Sequence, residues 1–437
     1  MRAALGVLVF AVACGPEDEQ HGNGSGTGGA GSQGGAAGCV DVAFRTSDFA
    51  DAKKWLPKGD VVRGGLWATA TAMSFAWIAY RFYPEGTPGQ FLDDTVPWLA
   101  LHTLNPENGA VVSQRVEALM PEGSLSTNSV ITSFAGRKDG TFAVGFDYVE
   151  GTEHPQRVAL GNIDSPGLSK YLVPSASGSV AAQTFAAWDG ESFALHGYGT
   201  PPQFSLKLAR VNDAGEVVLP FTQYGIASNV PPPVFSHRTS TNPESGRSYS
   251  ADASGSAFLS GHLRDGTPLP KTGGGNKVVK ASGQSTEVAN MAVVSADSDG
   301  AWLMWQQNID AAGTLGLVVQ RVDLNGDATG DAGIIPIFPV DAEDGIWRWA
   351  ILSHGASATI IAASDRSFYR FEYDGKKVSS PVLFVGPGEP YSFDPRDIEV
   401  IQAHGDLWVS YLSGFDLRLL KVKSGCHYPA KHAGPEP

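Results

Sequence analysis

Residues 348–385 read RWAILSHGASATIIAASDRSFYRFEYDGKKVSSPVLFV. Four apolar runs stand out, RWAILSHG, SATIIAASD, SFYRFEYDG and KVSSPVLFV, rich in Ile, Val, Phe and Tyr. His354-Gly355, Ser364-Asp365 and Asp374-Gly375 punctuate them. Short β-branched and aromatic runs bounded by glycine-containing turns signal antiparallel hairpins. None of the runs sustains the 3.6-residue apolar period of a helix. The stretch therefore predicts a four-stranded antiparallel sheet.

The same scheme precedes it as ANMAVVSADSDG, AWLMWQQ, LGLVVQRVDLNG and the segment around Ile334 to Val340. Further outward, one turn marker recurs as NPENG, DSPG, NDAG, RDG, DLNG, YDG and KSG, with Gly109, Gly167, Gly215, Gly266, Gly326, Gly375 and Gly425 spaced 58, 48, 51, 60, 49 and 50 residues apart. A second marker places Gly140, Gly190, Gly246, Gly300, Gly355 and Gly405 at intervals of 50, 56, 54, 55 and 50. Two turn series with one period mean a repeated supersecondary unit. Four strands in about 50 residues is the size of a propeller blade. A tandem β-sandwich needs about 100 residues per domain, twice this period. The fold class is therefore all-β, a seven-bladed β-propeller, with six or eight blades as the alternatives. Leu66–Phe82, LWATATAMSFAWIAYRF, carries no Asp-Gly turn and reads equally as two strands or as a helix.

The N-terminus is an address. Arg2 precedes an apolar run, Ala3–Val12, too short to span a bilayer, and AVAC follows at Ala11–Cys14. This resembles the lipobox of bacterial lipoprotein signal peptides, with Ala11 where that family usually carries Leu. The resemblance implies cleavage after residue 13 and acylation of Cys14, the palmitate-bearing anchor. No Asp follows Cys14, so the family's inner-membrane retention signal is absent. The expected location is the bacterial cell envelope, as an outer-membrane lipoprotein facing the periplasm or the surface. Residues 15–38 are almost wholly Gly, Ser, Ala and polar groups, too poor in apolar surface to fold, and read as a tether. The spacer is similar in composition to those of predicted lipoproteins of myxobacteria.

The propeller is expected over 39–426 and a polar tail over 427–437. The alternating stretch Cys39–Phe44 has no blade of its own, and the last blade lacks an outer strand. Residues 39–44 are expected to supply it. With Cys14 acylated, Cys39 and Cys426 are the remaining cysteines, brought together by that pairing. A disulfide between them suits an exported compartment.

The 31 Lys+Arg against 45 Asp+Glu give a net charge of −14, which argues against nucleic acid as a partner. No G-x-S-x-G, H-E-x-x-H or phosphate-loop motif occurs. No catalytic residue, cofactor or metal is called. Asp323-Leu-Asn325-Gly-Asp327 with Asp331 has some character of a calcium loop, but position six is Ala328 and position twelve Ile334, which favours an ordinary turn. SADSDGAW, Ser295–Trp302, looks like the Asp-box of sialidase-type propellers with its Gly one place late. His354 and His404 each precede a marker glycine and read as turn residues.

Both marker series should lie on one face, leaving the other loops around the opposite channel mouth. Two of those are DAEDGIWRW, with Asp341, Glu343, Asp344, Trp347, Arg348 and Trp349, and GEPYSFDPRD, with Glu389, Tyr391, Phe393, Asp394, Arg396 and Asp397. Aromatics with carboxylates and Arg suit sugar or peptide recognition. The candidate ligand-binding set is Glu343, Asp344, Trp347, Arg348, Tyr391, Asp394 and Arg396. The bland alternative is packing between blades. Three functional readings follow: a non-catalytic propeller that binds a glycan, peptide or envelope protein; a hydrolase or lyase acting on an envelope or extracellular polysaccharide; and a scaffold in an envelope assembly.

Overall fold

The computed structural model describes residues 40–45, 55–56, 64–81, 97–119, 132–147, 155–176, 180–199, 205–226, 238–253, 257–269, 277–279, 288–309, 314–336, 346, 348–364, 368–385, 398–413 and 416–423. Strand β1 (Val40–Arg45) comes first and belongs to the last blade. Blade one holds β2 (Trp55–Leu56), β3 (Gly64–Ala68), β4 (Met73–Arg81), β5 (Pro97–Leu104) and β6 (Val111–Ala118). Blade two holds β7 (Thr132–Gly136), β8 (Thr141–Asp147), β9 (Gln156–Asn162) and β10 (Ser165–Leu172). Blade three holds β11 (Val180–Trp188), β12 (Phe193–Gly199), β13 (Ser205–Val211) and β14 (Val217–Ile226). Blade four holds β15 (Arg238–Thr241), β16 (Ser248–Ala253), β17 (Ala257–His262) and β18 (Lys277–Val279). Blade five holds β19 (Val288–Asp297), β20 (Gly300–Asn308), β21 (Leu315–Asp323) and β22 (Ala328–Pro336). Blade six holds β23 (Arg348–His354), β24 (Ser357–Ala363), β25 (Phe368–Tyr373) and β26 (Val382–Val385). Blade seven holds β27 (Glu399–Ala403), β28 (Asp406–Ser413) and β29 (Asp416–Val422), completed by β1.

The first strands of the blades pack in series, β3 on β7, β7 on β11, and so on to β27, which returns to β3. This is a closed seven-bladed β-propeller. Closure comes from β1, antiparallel to β29 with Val40 opposite Val422 and Arg45 opposite Arg418, across a register shift between Val42 and Phe44. Cys39 and Cys426 lie outside the described residues, as do Cys14 and the tether.

Each middle strand has a blade on both sides and is buried on both faces. Hence β20 reads GAWLMWQQN, continuously apolar at its start rather than alternating. Apolar clusters fill the seams: Phe44, Phe75, Trp77 and Trp408 between blades seven and one, and Trp302, Trp349, Phe371 and Tyr373 between five and six. Each such side chain contributes roughly 1.5–3 kcal/mol on burial.

The marker glycines share one backbone feature. All twelve described marker glycines have positive φ, a conformation glycine adopts without a Cβ clash. The preceding Asp or Asn accepts backbone N–H groups across the turn, as Asp139 does from Thr141 (3.0 Å), Asn212 from Ala214 (3.0 Å) and Asp265 from Thr267 (2.9 Å). Asp323 accepts from Asn325 and Asp327, both at 2.8 Å, so its carboxylate caps a strand connection. His404 sits at φ 52 in a two-residue turn, and His354 bonds Thr359 Oγ1 at 3.0 Å. Both serve turns.

Blade one resolves into two strands joined at Thr69–Ala72, where the Thr69 hydroxyl accepts the Ala72 N–H at 3.0 Å. A threonine does the work of the usual Asp there, so the marker series has no copy. The inner strand is broken, β3 pairing with Met73–Trp77 and β2 with Tyr80–Arg81. In blade five the fourth strand starts at Ala328, ahead of the apolar run at Ile334. Its first four residues are exposed on the rim, which hid them from an apolar pattern.

Candidate functional site

The loops DAEDGIWRW and GEPYSFDPRD lead into β23 and β27. Those strands pack side by side in the ring, so the ends of the two loops are neighbours. Ile346, fully buried between blades five and six, and Ile398, 2 % exposed between six and seven, anchor these ends. Arg348 opens β23 and is half-buried, opposite Ala363 of β24. Trp349, next to it, points the other way because side chains alternate along a strand. It is 1 % exposed in the apolar seam, so it packs the core. Glu343, Asp344, Trp347, Tyr391, Asp394 and Arg396 lie outside the described residues.

The opposite face is committed to holding blades together. Arg115 of β6 donates to the carbonyls of Asn162 (2.6 Å) and Ser165 (2.8 Å) in the turn of blade two, while Glu117 accepts from Gly167 N at 2.9 Å. Arg137 stacks over Trp188, 4.2 Å from the ring centroid, and bridges to Asp213. Tyr373 donates to Asp331 O at 2.8 Å, and His404 Nε2 meets Ala72 O at 3.1 Å across the closure. Buried Lys421 bridges to Asp406 at 3.1 Å and donates to Glu107 O in blade one. These turn-face contacts form a hydrogen-bonded collar.

SADSDGAW is part of that collar. Ser295 Oγ accepts from Ser353 N at 2.9 Å, Ser353 Oγ donates to Asp297, and Trp302 Nε1 donates to Gly355 O at 2.9 Å. Asp297 also takes both guanidinium nitrogens of Arg321, at 2.5 and 2.7 Å. Burial works against the Asp297 carboxylate, yet the bonds from Arg321, Ser353 and Asp299 hold it below the usual carboxylate range. The motif clamps blade five to blade six.

Two polar groupings, one around a buried hydroxyl and one buried between blades, were not singled out from the sequence. In blade six, Thr359, 2 % exposed, accepts from His354 and donates to Glu372 at 2.9 Å, and Arg370 pairs with Glu372 at 2.6 Å. A hydroxyl closed to solvent cannot meet a substrate, so this chain braces the blade. The second, between blades three and four, joins His196, Tyr224 and His262. Their separation along the chain gave no local motif. Among the described residues no group of three or more His, Cys, Asp or Glu is arranged to hold a metal ion.

No protein-family model matches the chain, and no curated protein matches it in sequence. Solved structures do resemble it in fold. The propeller domain of the trilobed protease from Pyrococcus furiosus, described as an open velcro topology, is 10 % identical, covers 86 % of this chain and 97 % of its own, and gives a TM-score of 0.43. The polysaccharide lyase Uly1 is 12 % identical, covers 84 % and 90 %, and gives 0.49. The propeller domain of Cps50 (Swd1) from Myceliophteria thermophila is 11 % identical, covers 83 % and 96 %, and gives 0.43. At this identity the likeness concerns the fold alone.

Proposed function

We propose that this chain is an exported, lipid-anchored propeller that binds a sugar or peptide ligand, without catalysis, through the loops preceding blades six and seven. The supporting observation is that β23 and β27, which receive the two loops richest in aromatics, carboxylates and Arg, are neighbours in the ring. The turn face, by contrast, spends its polar groups on its own blades. Stacking on an aromatic ring and a charge-assisted hydrogen bond each contribute on the order of 1–3 kcal/mol, enough for recognition. A glycan and peptide array probed with wild type, Trp347→Ala and Tyr391→Ala tests this. Both variants should lose about tenfold or more in affinity, the equivalent of about 1.4 kcal/mol, with little change in thermal stability. Unchanged binding, or unfolding of either variant, would assign these aromatics to packing instead.

A further inference from the structure

Six of the seven seams hold apolar clusters with residues from both flanking blades. The seam between blades three and four differs. Among the described residues its cluster, Ala194, Tyr198, Leu206, Leu208 and Tyr224, comes from blade three. Blade four answers with buried Thr239, Ser248, Ser250, Ser260 and His262. His262, the last residue of β17, stacks on His196, with centroids 5.1 Å apart, and meets the Tyr224 ring at 4.5 Å. Tyr224 bonds Ser250 at 2.9 Å, and Ser250 bonds Thr239 at 2.8 Å. At the turn end Asp189, 1 % exposed, pairs with Arg210 at 2.7 Å, and Arg264 donates to Asp189 O at 2.7 Å and pairs with Glu191.

We propose that the ring is built to open at this seam on mild acidification, through protonation of His262. The geometry sets the chemistry. His262 Nδ1 lies 2.7 Å from Leu263 O, so Nδ1 carries the hydrogen of the neutral ring and a second proton must go to Nε2. That nitrogen is buried and has no hydrogen-bond partner. The groups facing the ring are His196 of β12, Tyr224 of β14 and Arg210 of β13, with Asp189 and Asp265 in the adjoining turns. Burial pushes His262 down from 6.5 to about 4; the Leu263 carbonyl, Asp189 and Asp265 oppose this, and Arg210 adds to it. A parted seam restores the ordinary value, so the closed form binds fewer protons. Its stability is complete above pH 6.5 and falls as pH drops from 6.5 towards 4. Between pH 7 and pH 5 the opening equilibrium should rise on the order of twentyfold.

The closure seam contains another buried histidine, His102, pushed down to about 3 by burial. There Nε2 accepts from Trp77 Nε1 at 2.8 Å, within the cluster of Phe44, Phe75 and Trp408. Parting that seam exposes a two-sided apolar core, so it should open last, with global unfolding. Hydrogen exchange of the full chain, corrected for the intrinsic pH dependence, separates the two. Peptides from β14 and β17 should exchange ahead of β5, β20 and β29, and about twentyfold more readily at pH 5 than at pH 7. His262→Gln should flatten that dependence, with His262→Phe as a second variant. Uniform exchange of all blades, earlier exchange of β5 and β29, or an unaltered pH dependence in a folded variant would overturn the proposal. The order of exchange in wild type decides even where both variants unfold.

Discussion

Gly190 shows what a marker residue does. Its φ is 95°, and a Cβ there would sit 2.0 Å from Pro243 O of blade four. Gly355 has φ 72° with nothing within 4 Å of a Cβ. Gly190→Ala therefore meets backbone strain and a clash, and should cost roughly 3 kcal/mol. Gly355→Ala meets strain alone and should cost about 1 kcal/mol. Chemical denaturation of both variants checks the difference; equal costs would mean that the blade contact at Gly190 contributes nothing. These glycines were legible in the sequence because turn chemistry is local. The clash behind Gly190 was not, since Pro243 belongs to another blade. The same holds for Trp349, whose composition suited a binding loop while the strand's alternation buries it.

At the scale of elements, blades five and six could be read from their Gly-marked hairpins, and blade one could not. Thr69 replaces the Asp of the marker, and β2 and β3 divide one inner strand between them. The closing strand was legible because an alternating run stood before the first blade and the last blade lacked a fourth run. The Val42–Phe44 register shift was not, because a bulge leaves little trace in composition. Pairing of β1 with β29 also carries the proposed bond between Cys39 and Cys426. Peptide mapping without reductant should recover these two cysteines linked; free thiols at both, alkylated in the native state, would remove the bond. A loop this long would make that disulfide worth about 6 kcal/mol in the chain-entropy model.

For the whole molecule, the repeat period bounded the architecture, whereas the polar seam emerged only once strands far apart in sequence were brought together. Export belongs to this scale too. Cys14→Ser should release the protein from the membrane fraction or leave it unprocessed, and wild type that is soluble and unacylated in its native host would end the lipoprotein reading. The central claim is a seven-bladed ring closed by its first strand. Arg45 and Arg418 are register partners across that closure. In a background with Cys14, Cys39 and Cys426 changed to Ser, Arg45→Cys with Arg418→Cys brings two thiols within reach of a short bifunctional reagent. Mass spectrometry should find them joined within one monomer, while Arg45→Cys with Lys423→Cys stays largely unjoined. Absence of the first cross-link, or its appearance only between two chains, would contradict closure by β1.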